Sequence, residues 1–147
     1  MADSDNGIAV GDLLLRRVAK EYAWNYKFSG PPQTLALIAR LRGTPAALNR
    51  YTELKKAGAP QEEVSEGTLN WLGYTLLFSG QGQDAITVFQ RNAQEHPQSS
   101  NVWDSLAEAY IKTGQTSLAI QNYEKALQLD PKNKDAADQL KKLRASN

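Results

Sequence analysis

Apolar residues along this chain fall at helical rather than alternating spacing, and the pattern repeats. Between residues 100 and 133, Trp103, Leu106, Ala107 and Tyr110 lie within two turns of one another. Ala119, Tyr123, Ala126 and Leu127 do the same after an interruption at Gly114. That spacing puts each set on one face of an α-helix. Asp130-Pro131 then ends the second helix, because proline lacks an amide hydrogen and biases the residue before it away from helical geometry. Residues 66–99 match this segment thirty-four positions earlier: Leu72 falls on Leu106, Gly80-Gln81 on Gly114-Gln115, Ala85-Ile86 on Ala119-Ile120, Phe89 on Tyr123 and Pro97 on Pro131. A period of this length predicts an all-α fold of stacked antiparallel helical hairpins, in which each unit buries its apolar face on the next.

Side-chain size supports the same architecture. Small Ala107, Ala119 and Ala126 let two helices approach, while Trp103, Leu106, Tyr110 and Tyr123 fill the space around them. The copy at 66–99 departs at Leu69, where its partner has Trp103, and at Asn92, where its partner has Ala126; Trp71 lies close enough to Leu69 to compensate in part. After Pro131, residues 134–145 place Ala136, Ala137, Leu140 and Leu143 on one stripe, with Lys141, Lys142 and Arg144 off it near the helix end. One apolar face, with cations near the C-terminus, is what a capping helix requires.

Upstream, residues 33–60 predict two short helices interrupted at Gly43-Thr44-Pro45, with Ala47 and Tyr51 on the alanine and aromatic positions of a worn repeat. The Gly-, Pro- and Glu-rich stretch from Gly58 to Glu66 forms an insertion, after which Ser65 caps the next helix. Residues 1–32 do not share the period. They predict an additional N-terminal helix, with Leu14, Leu15, Val18, Ala19 and Tyr22 on its apolar side, followed by a connector rich in Gly and Pro. The predicted organisation is therefore an N-terminal helix and connector at 1–32 and a repeat domain at 33–147. An uncovered face carrying Leu14, Leu15, Val18 and Tyr22 is costly, so that helix is expected to dock on the Leu35–Leu41 helix or to form a homodimer.

The tryptophan, leucine, small, tyrosine, alanine, aromatic, alanine and proline positions of residues 100–133 resemble the tetratricopeptide repeat. That resemblance implies a right-handed superhelix and a non-catalytic protein-interaction module, with the first helix of each repeat lining a groove. Transferred by position, it selects Asn70, Tyr74 and Leu77 from one repeat and Asn101, Asp104, Glu108 and Ile111 from the next. Members of the family that hold a peptide's terminal carboxylate place lysine and asparagine where this chain has Asp104 and Glu108. Two carboxylates repel an anion, so the expected ligand is a neutral or basic protein or peptide, anchored on Tyr74.

A second resemblance concerns the start of the chain. MADSDNG followed by LLLRRVAKEYAW is similar to the closing segment of a serine β-lactamase-family, penicillin-binding-like hydrolase, which implies that the chain is the tail of such an enzyme. The alternative function is then hydrolysis by residues not present here. No serine is followed by lysine three positions on, so the nucleophile motif of that family is missing. A Lys112-Thr113-Gly114 triplet matches another of its motifs in letters, but falls where the repeat pattern places a turn.

Composition narrows the functional classes further. A net charge of +1 with no basic cluster argues against a nucleic-acid footprint, and the apolar runs are too short for a membrane span. Without cysteine, and with His96 as the single histidine, no metal or thiolate site is expected. No cofactor motif and no catalytic constellation emerges. The absence of a signal segment points to the cytoplasm by default, whereas the tail of an exported hydrolase would be periplasmic or extracellular.

Overall fold

The computed structural model describes residues 31–146, all within one compact unit that begins at Pro31. The N-terminal helix expected to carry Leu14, Leu15, Val18, Ala19 and Tyr22, with its docking or dimer contacts, lies outside them. The described elements are α1 (Pro31–Arg42), α2 (Thr44–Lys56), α3 (Glu66–Phe78), α4 (Gly82–Glu95), α5 (Ser100–Lys112), α6 (Thr116–Leu129) and α7 (Lys134–Ala145). No strand occurs among the described residues.

The thirty-four-residue period is visible in the helix ends. Ser65, Asn133 and the residue midway between them, Ser99, are the N-caps of α3, α7 and α5. Ser65 Oγ accepts from the Thr68 amide at 3.3 Å, and Asn133 Oδ1 from the Ala136 amide at 3.0 Å, each satisfying a donor that the first helical turn leaves free. The turns inside the hairpins are equally periodic: Gly80 and Gly114 adopt φ of 81° and 75°, a left-handed conformation that glycine enters at little cost. Helix α7 thus stands in phase with α3 and α5, at the place of a first helix.

Each hairpin closes on a small residue and an aromatic one turn apart. Ala47 and Tyr51, Ala85 and Phe89, and Ala119 and Tyr123 are all buried at the same place in α2, α4 and α6. At the α3–α4 crossing the fit is tight. A Cβ on Gly73 would lie 2.5 to 2.8 Å from the Phe89 ring, so glycine stands where the next repeat carries Ala107.

The substitution of Asn92 for alanine has a physical answer. Asn92 Nδ2 donates to the Glu66 carbonyl at 3.0 Å, tying the second helix to the start of the first. In the following repeat the same two positions are joined the other way round, with Ser100 Oγ donating to the Ala126 carbonyl at 3.0 Å. The donor has moved from one helix to its partner while the tie is kept.

Two expectations are corrected. Trp71 does not replace the missing tryptophan in the core: Leu69 fills that place, and Trp71 is 42% exposed. On α7, Ala136 and Leu140 are buried and Leu143 is half-buried, but Ala137 faces solvent. Ala137 lies about 100° from Ala136 around the helix, which takes it off the stripe.

The first hairpin joins the stack differently. Gly43 alone separates α1 from α2, and residues 57–65 separate α2 from α3, against four residues at the later inter-repeat turns. Tyr51 pins this longer loop by donating from its hydroxyl to the Val64 carbonyl at 2.9 Å. α1 packs on α3 and α3 on α5, while contact between the second helices is slighter. The first helices therefore stand closer together than the second helices and form the inner row of the stack.

Candidate functional site

The inner row is formed by α3, α5 and the in-phase cap α7, and it carries most of the residues selected from the sequence. Asn101, Glu108 and Asp104 stand on it with different accessibilities: Asn101 and Glu108 are exposed, and Asp104 is half-buried. Asn70, Tyr74 and Ile111 are also half-buried. Leu77 is not a groove residue. It is only 8% exposed, because the twelfth position of α3 turns toward the core rather than the open face.

The polar groups of this row are joined from one repeat to the next. Tyr74 donates from its hydroxyl to Glu108 Oε2 at 2.7 Å and approaches Ser105 Oγ at 3.2 Å. Tyr74 and Glu108 are equivalent residues one period apart, so the repeat is bonded to its own copy. Asn101 Nδ2 donates to Glu66 Oε1 at 2.9 Å, and Asn133 Nδ2 to Asp104 Oδ2 at 3.3 Å. Tyr74 is therefore not a free anchor. Its hydroxyl is committed, and burial with the neighbouring carboxylates pushes its pKa far up, holding the phenol in the donor form.

Carboxylates gather here without a counter-charge. Burial pushes the Asp104 carboxyl above its ordinary range; the Asn133 hydrogen bond opposes this, while Glu108 and Asp135 push it further up. No ion pair among the described residues involves Asp104, Glu108 or Asp135. The described residues also contain no group of three or more His, Asp or Glu side chains able to hold a metal ion.

A sequence reading based on the family's groove positions missed two residues beside this row. Phe78 is 77% exposed, and its ring stacks on Tyr74 with centroids 5.8 Å apart and planes 20° from parallel. Tyr74 in turn meets Phe89 edge to face at 5.1 Å, which anchors the pair to the core. Trp71 occupies the position equivalent to Ser105. Unlike the buried Ser105, Trp71 is partly open to solvent. The seven-residue spacing of Trp71 and Phe78 was the available signal, being two helical turns on one face.

Residues 100–133 match the tetratricopeptide repeat family. They are α5, α6 and their turns. The human protein named Superkiller complex protein 3 is 32% identical over 76 residues, which is 49% of this chain and 5% of that protein. The mouse protein of the same name is 31% identical over 84 residues, 54% of this chain and 5% of the relative. The chain thus covers about a twentieth of the length of the curated relatives it matches. The fold is an all-α helical repeat of tetratricopeptide type. The similarity to a penicillin-binding-like hydrolase gains nothing from these matches, and Lys112-Thr113-Gly114 lies at the C-terminal end of α5, not on a strand. No described helix is long and apolar enough to cross a membrane.

Proposed function

We propose that this chain is a non-catalytic protein-interaction module that receives a segment of another protein along the inner row of α3, α5 and α7. The observation that carries this reading is the state of Asp104. A half-buried carboxylate beside two more, with only an amide donor for relief, is a costly arrangement for a surface that merely closes a stack. Stacking itself is already served by the apolar layers around Phe89 and Tyr123. An incoming neutral or basic segment would offset the carboxylates, whereas an acidic one would add repulsion.

Residues 33–60 are read as a worn first repeat on the same grounds. Ala47 and Tyr51 are buried like their counterparts, and α1 joins the row of first helices. The two relatives are named as a component of a complex, which suits a module whose task is to join other chains.

A photo-reactive residue separates the two faces of the stack. Placed at Asn101 on α5 of the full chain, it is expected to cross-link to a partner protein in the native cell. The same residue at Gln121, exposed on α6, is expected to give none; equal labelling from both positions would overturn the assignment of the binding face.

A further inference from the structure

We propose that the aromatic edge of α3 is the apolar half of the binding site, and that its occupant is a peptide segment carrying basic residues next to large aliphatic or aromatic ones. The inference rests on the interaction-module reading above and deepens it. It begins with Phe78, the most exposed large apolar side chain among the described residues. An isolated exposed phenylalanine needs no explanation, but this one belongs to a built surface. Its ring lies on Tyr74, Tyr74 is braced by Phe89, and the Tyr74 hydroxyl ends on Glu108. An apolar ledge and an exposed carboxylate thus meet within one stacked pair of residues.

Trp71 extends the ledge. It stands two turns before Phe78 on α3, about 10 Å along the helix at 1.5 Å per residue. Across the row, Asp104 and Glu108 project from α5 and Asp135 from the first turn of α7, and Asp104 feels both of the others. One side of the surface is therefore aromatic and the other anionic.

Charge complementarity selects the occupant. Arginine or lysine satisfies the carboxylates and can also lie against the face of Trp71 or Phe78, while a neighbouring aliphatic side chain covers the ring that remains. An acidic apolar segment would meet the ledge but be repelled by α5. A basic polar segment would meet the carboxylates and leave Trp71 and Phe78 wet. The next repeat has Ser105 and Lys112 where α3 has Trp71 and Phe78, so the ledge is confined to one repeat and fixes where along the row the segment sits.

The test uses the full chain and three fluorescein-labelled synthetic peptides, which alternate leucine with arginine, leucine with glutamate, and serine with arginine. Fluorescence anisotropy is expected to show the leucine–arginine peptide binding at least about tenfold tighter than either of the others, and weakening as salt is raised. Phe78→Ser, an exposed position whose change spares the core, is expected to weaken that peptide about tenfold, and Glu108→Gln about threefold. Equal binding of the serine–arginine peptide, or a Phe78→Ser chain that binds as the wild type does, would overturn the ledge. Preference for the leucine–glutamate peptide that is lost in Phe78→Ser would overturn the basic occupant while leaving the inner row as the binding face. Absence of binding by all three peptides would overturn this proposal alone if cross-linking from Asn101 still captures a partner. It would overturn both readings if that cross-link is absent as well.

Discussion

Two acidic side chains of this protein sit in partly buried places and are driven in opposite directions. Glu95 lies at the junction of α2 and α4. Burial pushes its carboxyl up, but hydrogen bonds and charge from Lys55 and Arg91 outweigh that and hold it below its ordinary range. Lys55 Nζ and Arg91 Nε each lie 2.6 Å from its oxygens, Tyr51 adds a hydroxyl at 3.3 Å, and Arg91 also reaches Thr52 and the Tyr51 ring. Asp104 on α5 has one amide donor, two acidic neighbours and a raised pKa. The first carboxylate is completed by its own chain; the second is not. Ion pairing is concentrated where the irregular first hairpin is fastened, and an unmet electrostatic demand is left on the inner row, the face proposed to receive a partner.

The largest test of that contrast is to remove the completed carboxylate. Glu95→Ala strips Arg91, Lys55 and Tyr51 of their partner at the junction of α2 and α4, and is expected to cost about 1 to 2 kcal/mol, read from the urea midpoint, because both cations stay partly open to water. The groove side should respond less. Tyr74→Phe removes the bond to Glu108 but keeps the ring stacked on Phe78 and edge to face with Phe89, for an expected loss of about 1 kcal/mol. Asp104→Asn is expected to have the opposite sign, stabilising the free chain by about 0.5 kcal/mol at neutral pH, since it removes a repelled charge while leaving an oxygen for Asn133.

Titration sharpens the comparison further. The folded-state pKa of Glu95 is depressed, so its contribution is complete above the ordinary carboxylate value of about 4.3 and is lost as the pH falls through the lower folded value. That of Asp104 is raised, so its cost is present above the folded value and is relieved as acid protonates it. Stability measured against pH should therefore show the gap between wild type and Asp104→Asn closing first on acidification from neutrality. The gap between wild type and Glu95→Gln should persist to lower pH before it closes.

Much of the framework was legible in the chain. Gly80, Gly114 and Ser65 mark turns and a cap whose chemistry is local, and Ala85, Phe89, Ala119 and Tyr123 report helix crossings that recur with the period. What was hidden depends on how one element meets another without a periodic cue. The Glu95 junction joins residues about forty positions apart across an insertion, so no register predicts it. Trp71 reads as core because it lies beside the missing tryptophan, yet a shift of two residues turns it to a different face of α3. Leu77 fails as a groove residue for the same angular reason. Tyr74 is half-buried on α3, and no feature of the sequence shows that its hydroxyl is held by Glu108 of the next repeat.

The central claim is that the inner row, not the ion-paired junction, receives a partner. The most direct measurement is an amide NMR map of the full chain as the leucine–arginine peptide is added. The account predicts that shifts concentrate on α3 and α5, at Trp71, Tyr74, Phe78, Asp104 and Glu108, and leave Thr52, Lys55, Arg91 and Glu95 unmoved. Shifts centred on α2 and α4, or a spectrum unchanged at saturating peptide, would contradict it.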